Sequence, residues 1–106
     1  MKSIMIKRMR IEYAESITDD LAQLHAYDRS HLLDRIEAQL SHQPTQPTRH
    51  KKMLIGLVPP WDHVDPVWEL RIGVFRVFYD VDEEQAVVNI RAIRRKPPHK
   101  TTEEIL

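Results

Sequence analysis

The chain has 106 residues, 42% of them hydrophobic, enough for one core and too short for two ordinary domains, so residues 1–106 read as a single domain. Lysine and arginine number 16 against 16 aspartate and glutamate, a net charge of zero that removes bulk attraction to nucleic acid as a driving force. The lack of cysteine excludes disulfides, thiolate nucleophiles and sulfur-ligated zinc; no apolar run approaches the roughly 20 residues that cross a bilayer, and early charge argues against a secretory leader, so no membrane partner and a cytoplasmic location are expected.

Residues 4–13 alternate as a strand does, with a change of apolar phase between Ile4/Ile6 and Met9/Ile11/Tyr13 that predicts a bulge near Lys7 and Arg8. Ser16 followed by Asp19 resembles a capping box, and Ile17, Leu21, Leu24 and Tyr27 recur behind it at helical spacing, predicting a helix over residues 15–27. Asp28, Arg29 and Ser30 can break and re-cap the chain. Leu33, Ile36 and Leu40 then form a second apolar stripe that must end before Pro44, completing a helical hairpin. Residues 41–48 are polar with two prolines and read as a loop. The basic segment at residues 49–52 and the irregular stretch at 59–66 are both expected to flank the sheet.

Residues 67–93 contain three strand-like runs with short connections, an expected three-stranded meander. With Ile72-Gly73 as the first turn, Arg71 faces Val74, Leu70 faces Phe75, Glu69 faces Arg76 and Trp68 faces Val77. A second turn at residues 82–85 pairs Val81 with Ala86, Tyr79 with Val88, Val77 with Ile90 and Arg76 with Arg91. Trp68, Leu70, Phe75, Val77, Tyr79 and Val81 then share an apolar side that the helices can cover. Arg71, Arg76, Asn89 and Arg91 share the other, and the same phase carried onward adds Arg95. Arg91, Arg94, Arg95, Lys96 and Lys100 also make residues 91–100 a run of cations without an acid. Such a face is either solvated, with internal Glu/Arg pairs, or an anion site. Arg76 beside Arg91 needs compensation from Glu69, Asp80 or an external anion, and phosphate suits the planar guanidinium fork. Proline-rich loops and the C-terminal tail leave this face bare or partly covered.

In order and spacing, Trp68-Glu69-Leu70-Arg71-Ile72-Gly73-Val74-Phe75-Arg76-Val77-Phe78-Tyr79-Asp80-Val81-Asp82 resembles the signature of the RelE/ParE toxin superfamily. The preceding hairpin, the basic segment and the closing run at residues 87–96 stand where that family would have them, so the resemblance spans nearly the whole chain. It implies an α+β fold: an N-terminal strand and a two-helix hairpin packed on an antiparallel sheet with a C-terminal three-stranded meander. It also implies a toxin of a bacterial toxin–antitoxin module, with a cognate antitoxin protein as partner.

For the RelE-like branch the resemblance implies a metal-independent endoribonuclease that cuts mRNA on the ribosome and thereby inhibits translation, using the ribose 2′-hydroxyl as nucleophile and no cofactor. Arg71 then matches the phosphate-stabilising arginine, Arg95 the arginine past the last strand and Lys52 a catalytic lysine. Arg76, Arg91, Arg94, Lys51 and Lys96 supply further phosphate contacts. The tyrosine that such toxins carry on the C-terminal segment has no counterpart beyond Tyr79. His99, whose imidazole can both give and take a proton, is the candidate acid or base in its place, or else an exposed tail histidine. The missing tyrosine favours a ParE-like inhibitor of DNA gyrase, which needs no catalytic set, and the neutral charge would suit an inactive binding module. Six scattered histidines make no metal set, so no metal is assigned. Trp61 can stack on a base or pack over a core edge. Ile105 and Leu106 favour a docked terminal helix over a free tail.

Overall fold

A computed structural model describes residues 8–106, so residues 4–7 of the expected N-terminal strand, including Lys7 of the bulge expected near Lys7 and Arg8, lie outside the described residues. The elements are β1 (Arg10–Tyr13), α1 (Ser16–Ala22), α2 (Ala26–Leu40), β2 (Lys51–Met53), β3 (Trp68–Ile72), β4 (Phe75–Asp82), β5 (Val87–Arg95) and α3 (Thr102–Ile105). They form one five-stranded sheet in the order β1-β5-β4-β3-β2. The expected α+β architecture is present, with one refinement: β1 runs parallel to β5, so the sheet is mixed.

The helices divide differently from the sequence pattern. α1 starts without a side-chain cap and ends at Ala22, and α2 begins at Ala26, so the break precedes Asp28-Arg29-Ser30. The reason is tertiary. Arg29 on α2 reaches back and donates to the Leu21 and Leu24 carbonyls, both at 3.1 Å, adding a second donor to the Leu21 carbonyl, which also accepts from the Leu24 amide, and binding the turn after α1 to α2. Tyr27 therefore sits in the first turn of α2, exposed and stacked on His31. The buried stripe of α2 is Leu32, Ile36 and Leu40, with Leu33 half-buried.

The basic segment does more than flank the sheet: Lys51–Met53 pairs with β3 as its edge strand. Thr48 turns over that edge, its amide donating to the Lys51 carbonyl at 3.0 Å and its hydroxyl accepting from the Lys51 amide at 3.1 Å. Both outward-facing backbone groups of Lys51 are thus occupied.

In the meander the first turn falls one residue later than expected, at Gly73-Val74, where Gly73 takes a positive φ of 56° that a glycine adopts without strain. The pairs are Ile72 with Phe75, Arg71 with Arg76, Leu70 with Val77, Glu69 with Phe78 and Trp68 with Tyr79. Each partner moves by two positions, which preserves the faces. Val81 likewise pairs with Val88 and Tyr79 with Ile90 rather than with Ala86 and Val88. The core packs Ile17, Leu32, Ile36 and Leu40 against Trp68, Leu70, Ile72, Phe75, Val77, Tyr79, Val88, Ile90 and Ile93.

A β-bulge then changes the phase of β5. Tyr79 pairs with Ile90 but Phe78 pairs with Ala92, leaving Arg91 as the extra residue. Beyond it Ile93 turns into the core opposite Val77, Arg94 stands opposite Arg76, and Arg95 stands opposite Phe75. Without the bulge Ile93, now 6% exposed, would face the other side, and its burial favours the bulge by about 1.5–3 kcal/mol.

The second side of the sheet is covered as well. Phe78, Glu69, Arg76 and Asp80 are buried there. Trp61 packs on Phe78 with ring centroids 5.3 Å apart, the Val64 amide donates to Asp80 at 3.0 Å, and the Thr102 hydroxyl of α3 donates to Glu69 at 2.7 Å. The terminal helix expected from Ile105 and Leu106 is present, closed by a capping box between Thr101 and Glu104, and Thr102 ties it to Glu69 on the second side of the sheet.

Candidate functional site

Strand pairing places Arg71 of β3, Arg76 of β4 and Arg94 of β5 directly opposite one another. They form a row of guanidinium groups across about 10 Å, two strand spacings. The middle arginine is fixed: Arg76 is 7% exposed and its Nη1 donates to the Gly73 and Phe75 carbonyls, both at 2.8 Å. Burial first, then the neighbouring Arg71 charge, push its pKa below the ordinary arginine value, while Glu69 acts in the opposite sense. Arg94 lies with its guanidinium carbon 5.2 Å from the Trp61 ring centroid, its Nη1 3.2 Å from the Ile93 carbonyl and 3.5 Å from Asp20. Arg71 is exposed and has no ion pair among the described residues.

The adjoining row runs Lys52, Glu69, Phe78, Ala92. Lys52 Nζ stands 3.6 Å from Glu69 Oε1, while the other carboxylate oxygen accepts from Thr102. One row further on, Asp80 pairs with Asn89 and collects four donors: Val64 N at 3.0 Å, Asn89 Nδ2 at 3.1 Å, and Arg91 Nε and Nη2 at 2.8 and 3.2 Å. Arg91 is thus neutralised by a two-pronged pair with a buried carboxylate and does not stand opposite Arg76 as the simple register required.

The other candidates lie elsewhere. Arg95 leaves the arginine face because the bulge reversed its direction; its guanidinium carbon sits 5.0 Å from the Phe75 ring centroid, on the helical side. Lys51 also points to that side, donating to the Gln39 and Gln43 carbonyls at 3.3 and 3.1 Å, and its burial lowers the amine's pKa. It closes the C-terminal end of α2, a structural task. Lys96 is half-buried and its amide donates to the Val74 carbonyl at 2.7 Å. His99 is exposed in the turn after Pro97 and Pro98. The structure therefore gathers Arg71, Arg76 and Arg94 with Lys52 and Arg91 beside them, and it turns Arg95 and Lys51 to the helical side.

Trp61, Asp80 and Asp20 carry more of this site than their local sequence signals. Trp61 is both the cover of Phe78 and the platform for Arg94, and Asp20 on α1 accepts from the Ile93 amide at 3.3 Å. Asp80 is signalled by the need for an acid among converging arginines, together with Glu69, and Trp61 takes the core-edge role expected of it, whereas Asp20 carries no signal. Chemically, the row offers guanidinium donors to an oxyanion or to acidic side chains, with a carboxylate–amine pair two residues along the strand on the same face.

Three comparisons bear on this arrangement. A family model described as the ParE toxin of type II toxin-antitoxin system, parDE, matches residues 11–96. Among solved structures, a chain of the toxin–antitoxin complex RelBE2 from Mycobacterium tuberculosis superposes with a TM-score of 0.65 at 19% identity, covering 84% of this chain and 99% of that one. A chain of the archaeal RelE–RelB complex from Pyrococcus horikoshii OT3 does so with a TM-score of 0.65 at 19% identity, covering 89% and 99%. At these identities the structural likeness is one of fold. No curated protein matches in sequence.

Proposed function

The chain belongs to the ParE family of toxins of type II toxin–antitoxin systems, and from that premise we propose that it is a one-domain toxin that acts by binding, as an inhibitor of DNA gyrase held in check by a cognate antitoxin. The observation that carries this reading is the row of Arg71, Arg76 and Arg94, in which the central guanidinium is held by backbone carbonyls and the strand partners on either side are arginines. The loop that covers the same side exposes Ile55, Val58 and Val64. Arginine forks beside exposed aliphatic groups are the makings of a protein interface.

One observation favours a second reading, metal-independent cleavage of mRNA on the ribosome. Lys52 and Glu69 lie two residues along β3 from Arg71 on the same face, so an amine and a carboxylate flank a guanidinium that could meet a phosphate. His99, exposed three residues before Thr102, whose hydroxyl reaches Glu69, is the candidate acid or base for that reading. Either target implies action in the cytoplasm.

Expression of the chain in a sensitive host separates the readings. Growth arrest with relaxation of plasmid supercoiling, reproduced with purified gyrase, supports gyrase inhibition. Arrest with mapped mRNA cuts that disappear in Arg71→Ala supports cleavage and overturns the first reading. Arrest of neither process leaves an inactive binding module.

A further inference from the structure

β1 shields the outer edge of β5 only as far as Ile90; there the Ala14 amide donates to the Ile90 carbonyl at 2.9 Å and the chain departs into α1. Past the Arg91 bulge, side chains stand where a neighbouring strand would. The Ile93 amide donates to Asp20 at 3.3 Å and the Ile93 carbonyl accepts from Arg94 at 3.2 Å. By strand alternation the Arg95 amide and carbonyl face the same way. A slot of about 320 Å³ opens along this edge, lined by Gln23 and Leu24 at the end of α1, by Phe75 and Ile93, and by Arg94 and Arg95.

We propose that this slot takes an extended acidic segment of a partner protein, which adds to β5 beyond the bulge, replaces Asp20 on Ile93 and Arg94, and presents a second carboxylate to Arg95. The inference rests on the reading of the chain as a toxin held by an antitoxin, the partner to which such a segment would belong. Charge complementarity favours it: Arg94 and Arg95 line the slot, and its one acid, Asp20, is already engaged. Arg94 and Arg95 point to opposite sides of β5, so two consecutive acidic residues on an added strand would meet one arginine each. Main-chain bonds would supply affinity, and Leu24, Phe75 and Ile93 would take flanking apolar side chains. The Asp20 contacts, at 3.3 and 3.5 Å, lie at the long end of the hydrogen-bond range and exchange readily.

The test uses the full chain and a capped hexapeptide, Thr-Val-Glu-Glu-Val-Thr, beside its Gln-Gln isostere, with affinity read by calorimetry and location by amide resonances. The expected result is saturable binding at least tenfold tighter for the glutamate peptide, with the largest shifts at Ile93 and Arg95. Arg95→Glu should weaken binding at least tenfold, its folding checked by thermal melting. Asp20→Asn should strengthen binding severalfold, a gain that no folding defect can imitate. Equal binding of the two peptides, or shifts centred on Arg71 and Arg76, would overturn the proposal. Growth arrest by the unmodified chain reports on the toxin reading separately. A chain that arrests growth but ignores the peptide keeps that reading and removes this one, whereas peptide binding without arrest supports the slot and counts against the toxin.

Discussion

Asp80 holds the second side of the sheet together. Its carboxylate is 1% exposed and joins β4, β5 and the proline-rich loop through Arg91, Asn89 and Val64. Asp80→Ala leaves Arg91 facing a void and frees the Val64 amide. Removing one partner of a buried ion pair costs about 3–5 kcal/mol, and the low end applies because Arg91 keeps 23% side-chain exposure. A fall of about 3 kcal/mol in urea denaturation is the expected outcome. Tyr79 provides a test by pH. Burial raises its phenol pKa above the ordinary 10.0, and its hydroxyl donates to the Pro44 carbonyl at 2.6 Å. A raised folded-state pKa gives stability that is complete below the unfolded value and lost as pH climbs through the folded one. Stability should therefore fall above pH 10, and Tyr79→Phe should lose about 1–3 kcal/mol at neutral pH while flattening that alkaline limb in pH-dependent melts. At this scale the sequence was partly legible. Converging arginines announced the need for an acid, and Asp80 was one of two candidates, but which arginine it would serve depended on a register that one inserted residue decides.

Among the elements, alternation identified the three meander strands and their apolar face, and it misplaced Arg95 and the Arg76 pairing at the Arg91 bulge. A period of two carries no mark of where it will be broken; the burial of Ile93 decides that, through contacts distant in sequence. The helix boundary failed for a similar reason. Local caps near Ser16 and Asp28 looked adequate, whereas the working cap of α1 is Arg29 from the following helix. Arg29→Ala should cost about 1–2 kcal/mol, since two partly buried carbonyls lose charge-assisted donors. Hydrogen exchange should show faster opening confined largely to residues 16–24. The edge strand Lys51–Met53 was hidden for another reason: its three residues are too short to display alternation, and two are lysines.

For the molecule as a whole, zero net charge and a pI of about 7.0 coexist with a local concentration of arginine on one side of the sheet. With no net repulsion at neutrality, solubility should pass through a minimum near pH 7 and rise on either side, a trend that static light scattering at low salt can measure. The parallel placement of β1 had no signature in its own residues. Two helices intervene between β1 and the meander, and the sense in which β1 lies follows from where that excursion returns the chain.

That placement also bears on the order in which the protein can assemble. β5 spans residues 87–95, yet it is the strand against which both β1 and β4 pair. During synthesis β1 emerges first and has no sheet neighbour until some eighty residues later, when β5 clears the exit tunnel. The helices can form meanwhile, but α1 lacks the strand it packs on. The guanidinium row is likewise incomplete until Arg94 arrives. Closure over so long a separation makes the last strand the slow and decisive one, so a nascent chain cannot present its working surface ahead of its completion.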